Sequence, residues 1–235
     1  MNTQKLIDSY IDTKAETASD QKESWNTFWQ RSFIQNALDV VRSYETKYYI
    51  RSVFEPYFNK NHIFCELGVG TALILAKTAH LFKSVVALDY SPDSLQISER
   101  VLEAAGVKNY SLVLQDIRDY DHIKPLYDVV FSNGLIEHFK EPHMAIKSHL
   151  MYTKPGGVVI VLAPYKWGLK NLWFSLTDNK FLKRLWPWTE QRFFTKHTME
   201  REVSKLDKKD IESYTIKVLH NVENVLLIIH KKKTA

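Results

Sequence analysis

Cysteine is nearly missing: Cys65 is the only one in 235 residues. One thiol excludes an intrachain disulfide and any zinc cluster built on cysteine. Its place inside a short apolar run reads as an inert core thiol rather than a nucleophile. The histidines are dispersed and no carboxylates cluster at ligand spacing, so no metal is expected. No basic-then-apolar leader opens the sequence and no apolar run reaches spanning length, which makes the cytoplasm the expected compartment. An arginine-rich module or separate RNA-binding domain is also lacking, so nucleic acid ranks last among partners. The pattern carries no signal of oligomeric state.

What remains is ordinary for a globular protein. Hydrophobic residues make up 45% and charged residues 25%. The length suits one domain with a sizeable core and room for an appendage. A net charge of +5, part of it in Lys231-Lys232-Lys233, permits an anionic partner without requiring one.

Met1 to Asp20 is polar and reads as a frayed or short helix. From Lys22 onward, Trp25, Phe28, Trp29, Phe33, Leu38 and Val41 recur at helical spacing. A second helical segment carries Tyr44, Tyr48, Arg51, Phe54 and Phe58 and stops near Pro56. Residues 1–60 therefore form an N-terminal helical cap ahead of a main domain at 61–235; a lid over the site and plain packing on a sheet are equal readings of it. Beyond it, apolar runs at Ile63–Leu67, Ser84–Asp89, Tyr110–Leu114, Tyr127–Ser132 and Val158–Ala163 read as strands. Between them, Ala72–Phe82, Pro92 to about Ala105 and Pro142–Tyr152 read as helices, with Ser91 and Gly106 bounding the second one. Lys154-Pro-Gly-Gly157 is a turn. The alternation predicts a parallel sheet with helices on both faces. Glu212–Leu219 and Val222–His230, joined at His220-Asn221, read as a hairpin-like pair that closes it.

The organising stretch is His62 to Thr71, a strand running into Gly68-Val-Gly70. Glycines there allow positive φ and bring bare backbone to a ligand at a strand's carboxyl end. A dinucleotide fingerprint wants a third glycine where Leu73 stands, which argues against a nicotinamide or flavin dinucleotide. Asp89 follows at the spacing of a ribose-binding carboxylate; Ser91-Pro92 supplies the cap of the next helix, leaving Asp89 free for that role.

Acidic Glu66 followed by Gly-x-Gly resembles the first motif of class I S-adenosylmethionine-dependent methyltransferases, with Ala72 at the place of a third glycine. Asp116-Ile117 is similar to the family's adenine contact, and Tyr127–Ser132 with Asn133-Gly-Leu-Ile-Glu-His-Phe139 is similar to its fourth motif. The resemblance covers Ile63 to Ala163. It implies a Rossmann-like α/β methyltransferase fold, a seven-stranded mostly parallel sheet of order 3-2-1-4-5-7-6. It implies S-adenosylmethionine as donor and S-adenosylhomocysteine as product. The donor would be held by Glu66, Gly68, Gly70, Thr71, Asp89, Tyr90, Asp116, Ile117 and Asn133. His138 is the candidate general base; the other reading has Glu137-His138 shaping the turn and filling the pocket floor.

Residues 164–209 form a long connection crowded with aromatic and basic side chains. In the resembled family such an insertion builds the acceptor pocket, here with Tyr165, Trp167 and Trp173, and Trp29 from the cap. A plain helical cap ranks second. A peripheral membrane surface through 164–196 ranks third and RNA stacking last. The expected activity is methyl transfer to an O, N or C of a small apolar or aromatic acceptor. The alternatives are a non-catalytic cofactor-binding or scaffold module on the same fold and a lipid-headgroup methyltransferase at the membrane surface.

Overall fold

The computed structural model describes residues 44–119, 126–168 and 192–233. The proposed helix over Trp25–Val41, with Trp29, and the segment holding Trp173 lie outside the described residues. Among the described residues seven strands form one sheet: β1 Ile63–Leu67, β2 Ser84–Asp89, β3 Tyr110–Leu114, β4 Tyr127–Asn133, β5 Thr153–Pro164, β6 Ile211–Leu219 and β7 Asn224–Lys231. Their order is β3-β2-β1-β4-β5-β7-β6. The first five strands pair in parallel and β7 runs antiparallel between β5 and β6. Helices α1 Leu73–Thr78, α2 Pro92–Ala104 and α3 Pro142–Tyr152 connect the parallel strands, and α4 Lys196–Ser204 precedes β6. The stretch read as one helix over Ala72–Phe82 is shorter: α1 ends at Thr78 and a 3₁₀ turn, Ala79–Leu81, completes it.

Each central strand is apolar on both sides, as burial on two faces requires. In β5, Val158, Ile160 and Leu162 join one core while Val159, Val161 and Ala163 join the other. The first core takes in α1, α2 and the helical run at 44–57; the second takes in α3 and α4 through Met199 and Val203. Part of the stretch expected as an insertion is therefore a sheet-packing helix. No described helix is long and apolar enough to cross a membrane.

Three departures from the sequence reading have local causes. The run at 44–57 buries Thr46, Tyr49, Val53 and Phe54, while Tyr44 and Arg51 are exposed. A uniform 3.6-residue period fails here because Ile50–Phe54 is a wider π turn, which rotates the face. Lys154–Gly157 is a bulge inside β5 rather than a turn before it: Tyr127 pairs Thr153, and Val129 pairs Val158. Gly157 is obligatory there, since a Cβ would lie 2.7 Å from the Asp128 carbonyl oxygen. The Asp128 carboxylate stitches the bulge, accepting from Lys154 Nζ at 2.9 Å and from the Ile63 amide at 2.8 Å. Finally, the basic run near the end is partly built in. Lys231 Nζ donates to the carbonyls of Leu150 and Thr153, both at 2.8 Å, closing the C-terminus of α3.

Phe64 is fully buried on β1, with its ring centroid 4.8 Å from that of Phe82 and 5.5 Å from that of Phe54. Phe64→Ala should lower the unfolding free energy by about 3–5 kcal/mol, read from urea denaturation.

Candidate functional site

The carboxyl ends of β1, β2 and β3 meet at one place. The Gly68 amide donates to the Leu88 carbonyl at 2.8 Å, and the Gln115 amide donates to the Asp89 carbonyl at 2.9 Å. The glycine turn is held in the left-handed region at Gly68 (φ 64°), Gly70 (φ 59°) and Ala72 (φ 52°). Ala72 is strained there, but its fully buried Cβ offsets part of that cost. The turn is less open than its glycines suggest. The amides of Gly68, Val69, Gly70 and Ala72 all have partners within the protein. A Cβ on Gly68 would come within 2.7 Å of Leu135 Cδ1, so a leucine tip from the loop after β4 closes on it. Thr71, in the same turn, is buried.

Asp89 is not free. Its Oδ1 accepts from the Ser91 amide at 2.9 Å, and its Oδ2 accepts from Ser94 Oγ at 2.8 Å and from the Gly70 amide at 3.4 Å. Ser91 caps α2 with its own hydroxyl, as expected, but the aspartate beside it braces the same turn. Burial pushes the Asp89 carboxyl up, and these hydrogen bonds pull it back down. Ser94 and Ser98, one helical turn apart on α2, also donate to the Gly70 carbonyl, at 3.3 and 3.0 Å. The sequence reading passed over both serines; their spacing of four on the helix face toward the turn was the available signal.

Asp116 is held by Arg118: the backbone amide and Nε donate to Oδ1 at 2.9 Å, the same Nε–H also reaches Oδ2 at 3.0 Å, and Nη2 donates to Oδ2. Three N–H groups thus occupy most of the about four acceptor positions of this partly exposed carboxylate. Ile117 packs into the second core. Tyr90 is half-buried between the two acids; burial first, then Asp89 and Asp116, push its phenol upward.

Two acids carry unmet capacity. Glu66, at 6% exposure on β1, has an Oε2 with no partner. Burial and the charge of Asp89 push its carboxyl well above the usual range. Glu137, at 2% exposure in the turn after β4, likewise has an Oε2 with no partner, and burial pushes its carboxyl up to about 8. The half-buried histidine beside it, His138, is the less enclosed of the pair. Asn133, half-buried, ends β4. Its neighbour Ser132 donates to His149 Nε2 at 2.8 Å, while His149 Nδ1 donates to the Ala145 carbonyl at 2.7 Å. Burial lowers that imidazole to about 4, so it is a neutral clamp from α3 onto the strand end. Tyr165 is half-buried, edge-on to His220 at 5.8 Å. Trp167 is 72% exposed, with Lys166 Nζ 5.2 Å from its ring centre, so it faces solvent rather than a closed pocket. Among the described residues no group of three or more His, Cys, Asp or Glu is placed to hold a metal ion.

The Glu137 carboxyl binds its proton more tightly in the folded chain than in the unfolded one. Its contribution therefore favours the fold at low pH and is lost as pH rises from the ordinary carboxylate range through about 8. Urea unfolding at a series of pH values should show the wild type losing several kcal/mol more than Glu137→Gln between about pH 5 and pH 9.

The sequence matches a methyltransferase-domain family over residues 58–218. It is 24% identical over 91 residues to human EEF1A lysine methyltransferase 2, a match covering 38% of this chain and 39% of that protein. A S-adenosylmethionine-dependent methyltransferase from Thermotoga maritima superposes with a TM-score of 0.63 at 15% identity, over 89% of this chain and all of that one. Magnesium protoporphyrin IX methyltransferase from Synechocystis, solved with bound S-adenosylhomocysteine, gives 0.60 at 14% identity over 98% of this chain and 100% of its own. These two show the same fold. The family match covers well over half of the chain, while the curated relative is matched over less than half of its own length: the chain belongs to the methyltransferase-domain family.

Proposed function

We propose that the protein methylates a small acceptor, apolar or aromatic in its body, at an O, N or C atom. The observation that carries the donor side is the unpartnered Oε2 of Glu66, buried beside the braced Asp89. S-adenosylmethionine has one ammonium group, which an isolated buried carboxyl oxygen fits. When bound, the donor supplies a methyl carbon activated by its own sulfonium. The chain's residues then have binding and orientation to perform. Asp89 offers its remaining acceptor capacity to ribose hydroxyls, Asn133 flanks the methionine end, and Leu135 keeps water from the glycine turn. Asp116 joins them with the acceptor capacity that Arg118 leaves. Tyr165, half-buried where Trp167 is exposed, is the described aromatic residue better suited to an acceptor wall. The named relatives methylate substrates as different as a protein lysine and a porphyrin, so they do not narrow the acceptor.

One observation favours a second reading. The exposed Trp167 under Lys166 is the pairing of aromatic and cation that settles at a lipid headgroup layer. It supports a lipid-headgroup acceptor at a membrane surface. Co-sedimentation with anionic vesicles tests it, and a protein left wholly in the supernatant removes it.

Calorimetry with S-adenosylhomocysteine tests the main reading. Glu66→Gln should weaken binding at least about ten-fold, a loss of about 1.4 kcal/mol, with the melting temperature unchanged or raised. Asp89→Ala should lose both affinity and stability, because it also removes a brace. Unchanged affinity in both variants would take these two acids out of the site. Donor binding without methyl transfer to any member of a broad acceptor panel would favour the scaffold alternative.

A further inference from the structure

Glu137 shares with Glu66 alone, among the buried acids described, a carboxyl oxygen without a partner. Asp89 has the Ser91, Ser94 and Gly70 donors, Glu202 has Lys205, and the half-buried Asp128 has Lys154 and the Ile63 amide. Glu66 also has an orphaned oxygen, but it lies on β1 beside Asp89, on the side assigned above to the donor. Glu137 lies across the glycine turn, on the loop leaving β4, with the contact of Leu135 on Gly68 between the two. One of its oxygens is taken by its own backbone amide. The other, Oε2, is buried and has nothing to bond. Its carbonyl accepts from the Arg192 amide at 3.3 Å, so the returning limb of the aromatic connection crosses directly over it. Gly134 backs the carboxyl closely: a Cβ added there would lie 3.5 Å from Oε1, in ordinary contact with it.

Among the described residues no cation acts on Glu137, so the carboxyl, kept from water, holds its proton. An alcohol could bond to this neutral form and would leave it protonated. An ammonium group both donates an N–H to Oε2 and supplies the charge that lets the carboxyl release its proton to solvent. Building on the methyltransferase reading, we propose that Glu137 anchors a primary amine carried by the methyl acceptor, Oε2 receiving an N–H hydrogen bond from the ammonium group. Glu137 is then the residue that selects the acceptor. His138 beside it is not required for that selection.

The test uses the full chain saturated with S-adenosylhomocysteine and two probes of one shape, 2-phenylethylamine and 2-phenylethanol, titrated by calorimetry. The wild type should bind the amine at least about ten-fold more tightly than the alcohol. Glu137→Gln should abolish that preference while keeping its affinity for S-adenosylhomocysteine within about two-fold. In infrared difference spectra, the protonated carboxyl band of the wild type should disappear on adding the amine, and Glu137→Gln should show no such change. Equal affinity for the two probes, no binding of either, or a preference that survives in Glu137→Gln overturns the proposal. Should Glu137→Gln fail to fold, Glu137→Asp, which withdraws the carboxyl by one methylene, makes the same comparison. If the wild type does not bind S-adenosylhomocysteine at all, the donor assignment fails first; binding of it without an amine preference sinks Glu137 alone.

Discussion

Asp89 is the tie on which the strand ends depend. Its two oxygens take the Ser91 amide, the Ser94 hydroxyl and, more weakly, the Gly70 amide. Those donors come from the start of α2 and from the glycine turn. One carboxylate therefore fixes the distance between the β1 and β2 ends, while Ser94 and Ser98 pull on the same turn through the Gly70 carbonyl. Buried acids are stable only when donors surround them. Here the donors are backbone and hydroxyl groups rather than cations, so no positive charge is built in to compete with a cationic ligand.

Glu66 and Glu137 break that rule, each at the mouth of the sheet. Each leaves a buried oxygen without a partner. Such an atom costs the folded chain roughly 1–3 kcal/mol when nothing meets it. The cost falls at the carboxyl ends of β1 and β4, the adjacent strands at the sheet's centre, where open α/β sheets bind ligands. Stability elsewhere is ample to carry it: two cores, one per face, are filled by aromatic and branched side chains. Tyr152 Oη is also unpartnered, but it lies in the second core, away from the strand ends. An orphaned polar atom points to a ligand only where geometry gives the ligand a way in.

The strand pattern was legible because it is local. Apolar runs and their turn residues placed β1, β2 and β3 at their observed bounds, and the family resemblance supplied the order of the sheet. What stayed hidden depends on neighbours distant in sequence. The bulge at Lys154–Gly157 exists because Asp128 and Lys232 meet it, with the Gly156 amide donating to the Lys232 carbonyl at 3.1 Å. The π turn at Ile50–Phe54 reset a helical face that a constant period had placed on Tyr44, Tyr48 and Arg51. Asp116 looked like an acceptor because spacing carries no record of Arg118 folding back on it. Glu137 and His138 are adjacent letters. The imidazole drew attention for its titration range, yet it is the carboxyl that burial, which sequence does not state, encloses and pushes up to about 8.

The same geometry explains how one fold can serve acceptors as unlike as those of its relatives. The ends of β1 and β2 and the start of α2, where the donor is proposed to sit, are bound to one another through Asp89, so a change there disturbs the whole brace. The loop after β4, proposed here as the acceptor side, is held instead by the Arg192 amide and, at its root, by the Ser132–His149 clamp. That loop can change a side chain without touching the brace. Pro164 and Phe194 bind each other's return limb through the Phe194 amide and the Pro164 carbonyl at 2.8 Å, so the aromatic connection is anchored at both feet close to Glu137. On the proposed reading, variation between those feet, or at position 137 itself, redirects acceptor choice and leaves the Asp89 brace intact.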